Sequence, residues 1–208
     1  MGPVTGEAIR IILADDQALV RGGLAALLAL EPDIEVVAEV GRGDELTEAV
    51  ARLEPDVCVV DIEMPGGDGI TVTGRIRDAH PDVRVLIVTT FGRPGYVSRA
   101  LEAGAGGFLV KDTPARELAE AVRQVHAGRT VVDPALVRDT VLTGPDPLTP
   151  REKDVLRHAL SGARVAEIAA ALHLSQGTVR NHLSSAIAKT HTSTRAEAAR
   201  EAQQRGWL

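Results

Sequence analysis

The chain has 208 residues, of which 44% are apolar and only 2% aromatic, so its cores must be built from Ala, Leu, Val and Ile. This length suits one or two domains. The formal net charge of −6 combines −10 for residues 1–147 with +4 for residues 148–208. An acidic part beside a basic part is typical of metal and phosphate chemistry joined to a polyanion partner.

Cysteine usage and hydropathy bear on where the protein acts. The single cysteine, Cys58, excludes a disulfide framework within the chain and indicates a reducing compartment. No N-terminal segment combines a basic start, an apolar stretch and a small-residue cleavage site. The longest apolar stretch, GGLAALLAL, is too short to span a bilayer. We therefore expect a cytoplasmic protein that has no membrane partner.

Short apolar runs alternate with helical patterns through the first 127 residues, the clearest runs being IRIILA, DVCVVD, RVLIVTT and GGFLV. This alternation predicts a doubly wound, flavodoxin-like α/β fold with a parallel sheet. Five strands are expected near 9–14, 34–39, 56–61, 84–89 and 107–110, and five helices near 17–30, 43–53, 68–79, 94–103 and 114–127.

The first and last of these helices carry apolar stripes that should face the sheet. The stripe of the first helix is expected to bury Val20, Leu24, Leu27 and Leu28. The last helix is expected to begin with Thr113 as its cap and Pro114 at its first helical position. Its buried stripe should contain Leu118, Val122 and Val125.

The last third of the chain predicts a separate all-α domain. Residues 128–147 are interpreted as a linker with one short helical piece over 134–141, which places domains at 1–127 and 148–208. Thr149 and Glu152 form a capping box, so a helix should begin at Pro150. Four helices are expected, the second and third forming a helix-turn-helix, near 150–161, 164–171, 176–189 and 194–205.

Reactive side chains follow several of the predicted strands. The pair Asp15 and Asp16, then Asp61, Thr89 and Lys111, each lie where an apolar run ends. Because the carboxyl ends of parallel strands meet at one edge of the sheet, these groups should converge. Asp61 is the candidate phosphoryl acceptor, while Asp16 and Asp61 can each bind Mg²⁺, with Asp15 holding a bound water. Lys111 would pair with the phosphoryl group, and the hydroxyl of Thr89 would donate to it.

The third helix of the basic domain predicts a DNA contact. Its core side is marked by Val179, Leu183 and Ile187 at helical spacing. The opposite face is polar and contains Gln176, Thr178, Arg180, Asn181, Ser184, Ser185 and Lys189. Arg can read guanine and Asn can read adenine, while Ser and Thr suit phosphates. In a helix-turn-helix, the start of the second helix contacts base edges in the major groove. The alternative interpretation is a solvated polar face on an ordinary helical bundle.

Together these motifs resemble a known family. Residues 9 to about 127 are similar to the receiver domain of two-component response regulators, through the ordered acidic pair, Asp61, Thr89 and Lys111. The segments LTPREKDVL and EIAAALHLSQGTVRNHL resemble the LuxR-type helix-turn-helix, so the chain is identified as a member of the NarL/FixJ class of transcription factors. The stretches DVCVVDIEMPG, TTFGRPGY, KDTP and RGWL resemble the DesR type within this class, which implies control of lipid desaturation through a kinase that senses membrane fluidity.

The resemblance implies a function and further site residues. A sensor histidine kinase would phosphorylate Asp61, and the phosphorylated protein would dimerise and bind promoter DNA. The backbone carbonyl of Glu63 would be a further Mg²⁺ ligand. Base-facing roles fall to Arg180, Asn181 and Ser184, and a phosphate role to Lys189. The chain departs from the family pattern at Ala166, which is often basic, and at Thr190 and His191, which are usually Leu and Gly.

The resemblance also favours a dimer through the first and last receiver helices. Contacts with a second copy would then come from Arg21, Ala25, Ala121 and Gln124. An alternative dimer face would use the fourth helix and fifth strand, around Tyr96 and Arg99.

Two other functions are alternatives at this point. One is a regulator that works without phosphate, against which the intact acidic pair and Lys111 argue. The other is an enzyme on the flavodoxin-like fold, but the loop after the first strand has no Gly-rich phosphate cradle. No enzymatic activity is therefore expected.

Overall fold

A computed structural model of the chain describes residues 8–90, 92–134, 136–138 and 146–208. These residues form two compact units, one ending at Val137 and the other containing Arg138–Leu208 together with Arg93–Tyr96. In the described part of the chain, no helix is both long and apolar enough to cross a membrane.

The first unit is a parallel six-stranded sheet with helices between its strands. Its strands are β1 (Ile9–Ala14), β2 (Ile34–Val40), β3 (Val57–Val60), β4 (Arg84–Thr89), β5 (Gly107–Val110) and β6 (Val131–Val132). The helices that alternate with these strands along the chain are α1 (Ala18–Leu28), α2 (Gly43–Leu53), α3 (Gly69–Ala79), α4 (Pro94–Glu102) and α5 (Ala115–His126). The strand order β2-β1-β3-β4-β5-β6 confirms the predicted flavodoxin-like, doubly wound fold.

The sheet is buried because each central strand is apolar on both faces. All four residues of β3 are buried, and so are five of the six residues of β4. Continuous apolar runs of this kind are typical of parallel sheets covered by helices on both sides. The predicted stripe of α5, with Leu118, Val122 and Val125, is buried as expected. The side chain of Phe108 on β5 is fully buried in the same sheet.

Three details of this unit differ from the prediction. A sixth strand, β6, extends the sheet from within the segment interpreted as a linker. Leu27 was expected to be buried, but it is 46% exposed, and only Leu28 of the predicted α1 stripe is fully buried. The expected cap of α5 was also wrong, because Pro114 and not Thr113 occupies the N-cap position.

The predicted linker is only partly described. Residues 134 and 136–138 are helical, in agreement with the short helical piece, whose remaining residues lie outside the described ranges. The domain boundaries at 127 and 148 stay predictions.

The second unit contains the four predicted helices. They are α6 (Pro150–Leu160), α7 (Val165–Ala171), α8 (Gln176–Lys189) and α9 (Arg195–Gln204). The capping box of Thr149 and Glu152 is present at the start of α6, as predicted. The core between the helices includes Leu156, Ile168, Val179 and Trp207. This packing confirms an all-α domain whose α7 and α8 are the expected helix-turn-helix pair.

Candidate functional site

The ends of β1 and β3 lie side by side in the sheet. Ala14 and Val60 are register partners, and the Asp61 N–H donates to the Ala14 carbonyl at 2.8 Å. Asp15 and Asp61, the next residues along the two strands, therefore leave the sheet together. In the order β2-β1-β3, this point is where the connections diverge to opposite sides, which is where open α/β sheets bind ligands.

The predicted acidic residues form one cluster. A carboxylate oxygen from each of Asp15, Asp16 and Asp61 lies within 4.8 Å of the others. Asp15 and Asp61 are only 3% and 4% exposed, whereas Asp16 is exposed. The structure thus brings together all three carboxylates that were predicted to meet.

Lys111 joins the two buried carboxylates. Its Nζ lies 2.6 Å from Asp15 Oδ2 and 2.8 Å from Asp61 Oδ2. Burial alone would lower the pKa of Lys111, but hydrogen bonds and attraction from Asp15 and Asp61 outweigh burial and raise it. The ammonium is therefore retained at neutral pH.

The charge balance of the cluster fits a divalent cation. Three carboxylates face one ammonium, which leaves two negative charges at a largely buried position. Buried charge of one sign is costly unless it is paired. Carboxylate oxygens are the ligands that Mg²⁺ prefers, usually with one or two carboxylates and several waters. The donor set present is thus suited to Mg²⁺.

The loop after Asp61 is held by a close backbone approach that the sequence did not reveal. The N–H of Ile62 donates to Asp61 Oδ1 at 2.7 Å, and the N–H of Gly69 donates to the Ile62 carbonyl at 2.8 Å. A Cβ at Gly69 would lie 2.0 Å from the Asp61 carbonyl oxygen, so only glycine fits there. Glu63, the predicted carbonyl ligand, is exposed in this loop.

Thr89 and Lys111 meet through their backbones. Thr89 ends β4 and is 1% exposed, and its carbonyl accepts a hydrogen bond from the Lys111 N–H at 2.8 Å. The predicted hydroxyl and ammonium groups thus come from neighbouring strand ends. Cys58, in the middle of β3, is buried and has its pKa raised to about 12 by that burial, so it is a thiol and not a nucleophile.

In the second unit, α8 presents a polar face to solvent. Arg180, Asn181 and Ser184 are exposed, one turn or less apart. Thr178 is half-buried, and its hydroxyl lies 2.8 Å from that of Ser175, which caps the helix. Asn181 and Ser184 are therefore available to a ligand. Arg180 is also exposed, but its Nη2 donates to Gln176 Oε1 at 3.3 Å, so Arg180 and Thr178 both have a local partner.

Lys189, the predicted phosphate contact, has a partner within the protein. Its Nζ lies 2.8 Å from Glu152 Oε2 and 3.0 Å from Oε1, although the two residues are 37 positions apart. Burial by itself raises the pKa of Glu152, but hydrogen bonds from Lys189, Ser185 and Thr149 lower it to about 2. The ion pair ties the end of α8 to the start of α6, so the phosphate role of Lys189 stays a prediction with a competing contact.

Thr190 and His191 occupy the turn after α8, where the family pattern predicted Leu and Gly. The Thr190 hydroxyl donates to the Ala186 carbonyl at 2.9 Å. His191 has φ +54°, a left-handed conformation that normally favours glycine. The helix therefore ends in the usual way at this departure from the family pattern.

Comparison with known proteins covers both units. Residues 11–123 match the family described as the response regulator receiver domain. Residues 146–202 match the bacterial regulatory proteins of the luxR family.

Relatives match nearly the whole chain. The transcriptional regulatory proteins YvfU and DesR of Bacillus subtilis are 42% and 41% identical over 200 residues, covering 96% of this chain and 100% and 99% of the two proteins. A solved complex of the response regulator RcsB with DNA is 25% identical, with a TM-score of 0.68, and covers 95% of this chain and 99% of that one. The similarity to DesR confirms the predicted resemblance to that type.

We predict that the Glu152–Lys189 pair stabilises the second unit. Lys189→Met should lower the free energy of unfolding by about 1–3 kcal/mol, because it leaves a buried carboxylate short of a hydrogen bond. The double variant Lys189→Met/Glu152→Gln should lose less free energy of unfolding than the sum of the losses in the two single variants. Trp207, the only tryptophan and buried in this core, reports unfolding by fluorescence in the full chain.

The lowered pKa of Glu152 determines how the stabilisation by the Glu152–Lys189 pair changes with pH. Because the pKa of Glu152 is lowered from 4.5 to about 2, its contribution is complete above pH 4.5 and is lost as the pH falls towards 2. The difference in free energy of unfolding between the wild type and Lys189→Met should therefore become smaller as the pH falls through that range. Arg157→Met, which breaks an exposed pair with Asp154, is the control and should have little effect. A gap that is constant from pH 7 to pH 3 would contradict the prediction.

Proposed function

The chain belongs to the response regulators that carry a LuxR-type DNA-binding domain, and we propose that phosphorylation of Asp61 switches its binding to promoter DNA. Its relatives are transcriptional regulators and not enzymes. The single observation that carries the proposal is the position of Asp61, packed between the other two carboxylates and the ammonium of Lys111. A phosphate-independent regulator would have no need of a largely buried cluster in which three carboxylates face one ammonium.

Asp16 and Asp61 would hold the metal directly, Asp15 through a water, and Glu63 through its backbone carbonyl. When bound, Mg²⁺ neutralises charge on the phosphoryl oxygens. Asp15 is already engaged by Lys111 and by the Gln17 N–H at 2.9 Å, which suits a role one water away from the ion.

The proposed phosphoryl transfer uses a carboxylate oxygen of Asp61. That oxygen forms a bond to the phosphorus of a phosphohistidine on the kinase as the phosphorus–nitrogen bond breaks. Because the other ring nitrogen of the phosphohistidine carries a proton, the histidine leaves as a neutral imidazole and Asp61 becomes an acyl phosphate. Lys111, 2.8 Å from Asp61 in the unphosphorylated protein, would pair with the added charge. The Thr89 hydroxyl would donate to a phosphoryl oxygen, so a buried side chain must rearrange to reach it. Phosphorylation replaces the single negative charge of the carboxylate with about −1.5 to −2 on the acyl phosphate, and this larger, bulkier anion would favour such a rearrangement.

DNA recognition is assigned to α8. Arg180, Asn181 and Ser184 would face base edges in the major groove, because they are exposed on one side of the second helix of a helix-turn-helix. Thr178 and Lys189 are proposed phosphate contacts, each of which would have to be shared with a partner inside the protein.

The proposed dimer uses α1 and α5, but with different residues from those expected. Ala121 is 3% exposed and belongs to the core, and Arg21 is directed onto the backbone of Asp15, so neither presents itself to a second copy. A groove of about 1110 Å³ does lie along this face, with Leu27, Leu30 and Gln124 in its lining. Exposed leucines beside a groove are suited to burial against an identical face in a two-fold dimer.

We predict that Asp61 is the only phosphoacceptor. Incubation with acetyl phosphate and Mg²⁺ should add one phosphoryl group to the wild type by intact mass and none to Asp61→Asn. Asp16→Ala should slow the gain because a metal ligand is lost. Asp112→Asn removes an exposed carboxylate beside Lys111 and should behave like the wild type. A mass gain in Asp61→Asn would place the phosphate elsewhere.

For DNA, we predict that Arg180→Ala removes a base contact. On a site selected from a randomised duplex pool, the variant should bind about 1–3 kcal/mol more weakly, with little change on unrelated DNA. If Lys189 contacts a phosphate, Lys189→Ala should weaken both kinds of DNA evenly and reduce the slope of log K against log salt by about one. Equal losses on both DNAs for Arg180→Ala would show that it does not read a base.

For the dimer, we predict that the phosphorylated full chain sediments as a dimer and that Asp61→Asn stays monomeric. Leu27→Glu places a charge on the α1 face and should block dimerisation without reducing phosphorylation. Leu101→Glu is the matched change on α4, also at an exposed leucine, and should leave the dimer intact. The reverse pattern would assign the dimer to the alternative face, and a monomer throughout would reject dimerisation as the switch.

A further inference from the structure

Arg21 of α1 reaches back to the end of β1. Its Nη1 donates to the main-chain carbonyl of Asp15 at 2.5 Å. The side chain is 20% exposed, and its nearest acidic partner, Glu39, is more distant, with 3.7 Å between Nε and Oε2. The main engagement of this guanidinium is thus with a backbone group of the acidic pair and not with a carboxylate.

The bonded carbonyl belongs to the peptide unit that joins Asp15 to Asp16. Asp15 itself is fixed at three further points: its N–H donates to the Val40 carbonyl at 3.1 Å, and its carboxylate is held by Lys111 and the Gln17 N–H. The exposed Asp16 accepts no hydrogen bond at its carboxylate from any described residue. The peptide plane that precedes Asp16 is held at its carbonyl oxygen by the hydrogen bond from Arg21.

The surroundings leave room for this contact. A Cβ at Gly41 would lie 3.4 Å from Arg21 Nη1, so the guanidinium packs directly over this glycine at the end of β2. Arg21 also lines a small internal space together with Asp15 and Asp61. The guanidinium thus lies beside the cluster and contacts it through the Asp15 carbonyl oxygen, so its hydrogen bond uses no carboxylate oxygen of Asp15, Asp16 or Asp61.

We propose that Arg21 is a positioning residue for metal binding, which orients the Asp15–Asp16 peptide so that the Asp16 carboxylate meets the same ion as Asp61. The inference rests on the proposed Mg²⁺ site. Groups that orient metal ligands without touching the ion typically change metal affinity 10–100-fold when they are removed. Since Arg21 acts through a backbone carbonyl, we expect an effect of about 10-fold.

Mn²⁺ titration of the full chain, with free Mn²⁺ followed by electron paramagnetic resonance, measures this affinity without any phosphoryl transfer. Arg21→Ala should bind about 10-fold more weakly. Arg21→Lys, which keeps a donor and a charge but not the planar fork, should be intermediate. Arg123→Ala is the matched control. Arg123 binds Glu31 and Asp33 just before β2, at the opposite end of that strand from Gly41 and Arg21, so its loss should leave Mn²⁺ affinity unchanged.

Phosphorylation by acetyl phosphate separates positioning from general damage. In Arg21→Ala, the Mg²⁺ concentration for half-maximal rate should rise by the same factor, and saturating Mg²⁺ should restore the wild-type rate. A purely structural defect would instead lower the rate at every Mg²⁺ concentration and overturn the inference. If Arg21→Ala does not fold, Arg21→Lys decides: wild-type affinity rejects the inference, and reduced affinity supports it.

The outcomes also separate this inference from the proposed function. If the wild type binds no Mn²⁺, the metal site itself is wrong, whatever Arg21 does. If the wild type binds Mn²⁺ and Arg21→Ala binds it equally well, the site stands and the positioning role of Arg21 is rejected.

Discussion

The contact of Lys111 with Asp15 and Asp61 is the interaction on which the first unit depends. Parallel pairing of β1 with β3 forces two carboxylates out of the sheet at neighbouring positions, where both are buried. Without a cation, this repulsion would raise the energy of the fold. Lys111 comes from β5 and must reach past the end of β4, where Thr89 is buried, to contact both acids. The groups that stabilise the fold are therefore the same groups that we propose exchange their contacts with Lys111 for contacts with a metal and a phosphoryl group.

A second ion pair has a comparable place in the DNA-binding unit. Glu152 serves as a member of the α6 capping box and as the partner of Lys189 at the end of α8. One buried carboxylate thus connects the start of one helix to the end of the helix proposed to enter DNA. Such a link restrains the rotation of α8 against its neighbours, and so the direction in which Arg180, Asn181 and Ser184 face. The cost of burying the charge is offset by the number of donors that surround it.

Much of the fold and of the acidic cluster could be predicted from the sequence, for a physical reason. Buried parallel strands are continuous apolar runs, and their carboxyl ends must share an edge, so Asp15, Asp61 and Lys111 could be placed near one another from strand order alone. The helix-turn-helix was predictable because Thr149 and Glu152 mark a helix start and Val179 and Leu183 mark a core face. Strand β6 was missed because two residues show no periodicity.

The remaining differences arise where side chains choose between partners that are far apart in sequence. Lys189 was assigned to solvent and DNA, yet it binds Glu152, 37 residues away. Arg21 and Ala121 were assigned to a dimer surface, yet one contacts the Asp15 backbone and the other lies in the core. Leu27 shows the opposite case. Its spacing predicted burial, but it is exposed because the buried stripe of α1 is narrower than the apolar stripe in its sequence. Helical periodicity gives the face of a helix only to within about one residue, so these choices need the packed structure.

The central claim is that Asp61 and its neighbours form a single metal and phosphoryl site. A crystal structure of the full chain with Mg²⁺ and beryllium trifluoride, a stable mimic of the phosphoryl group, tests it most directly. The account predicts the fluoride adduct on an Asp61 oxygen, Mg²⁺ about 2.1 Å from oxygens of Asp16 and Asp61, and Lys111 Nζ moved from Asp61 to the adduct. An adduct on another residue, or a metal bound away from this cluster, would contradict the account.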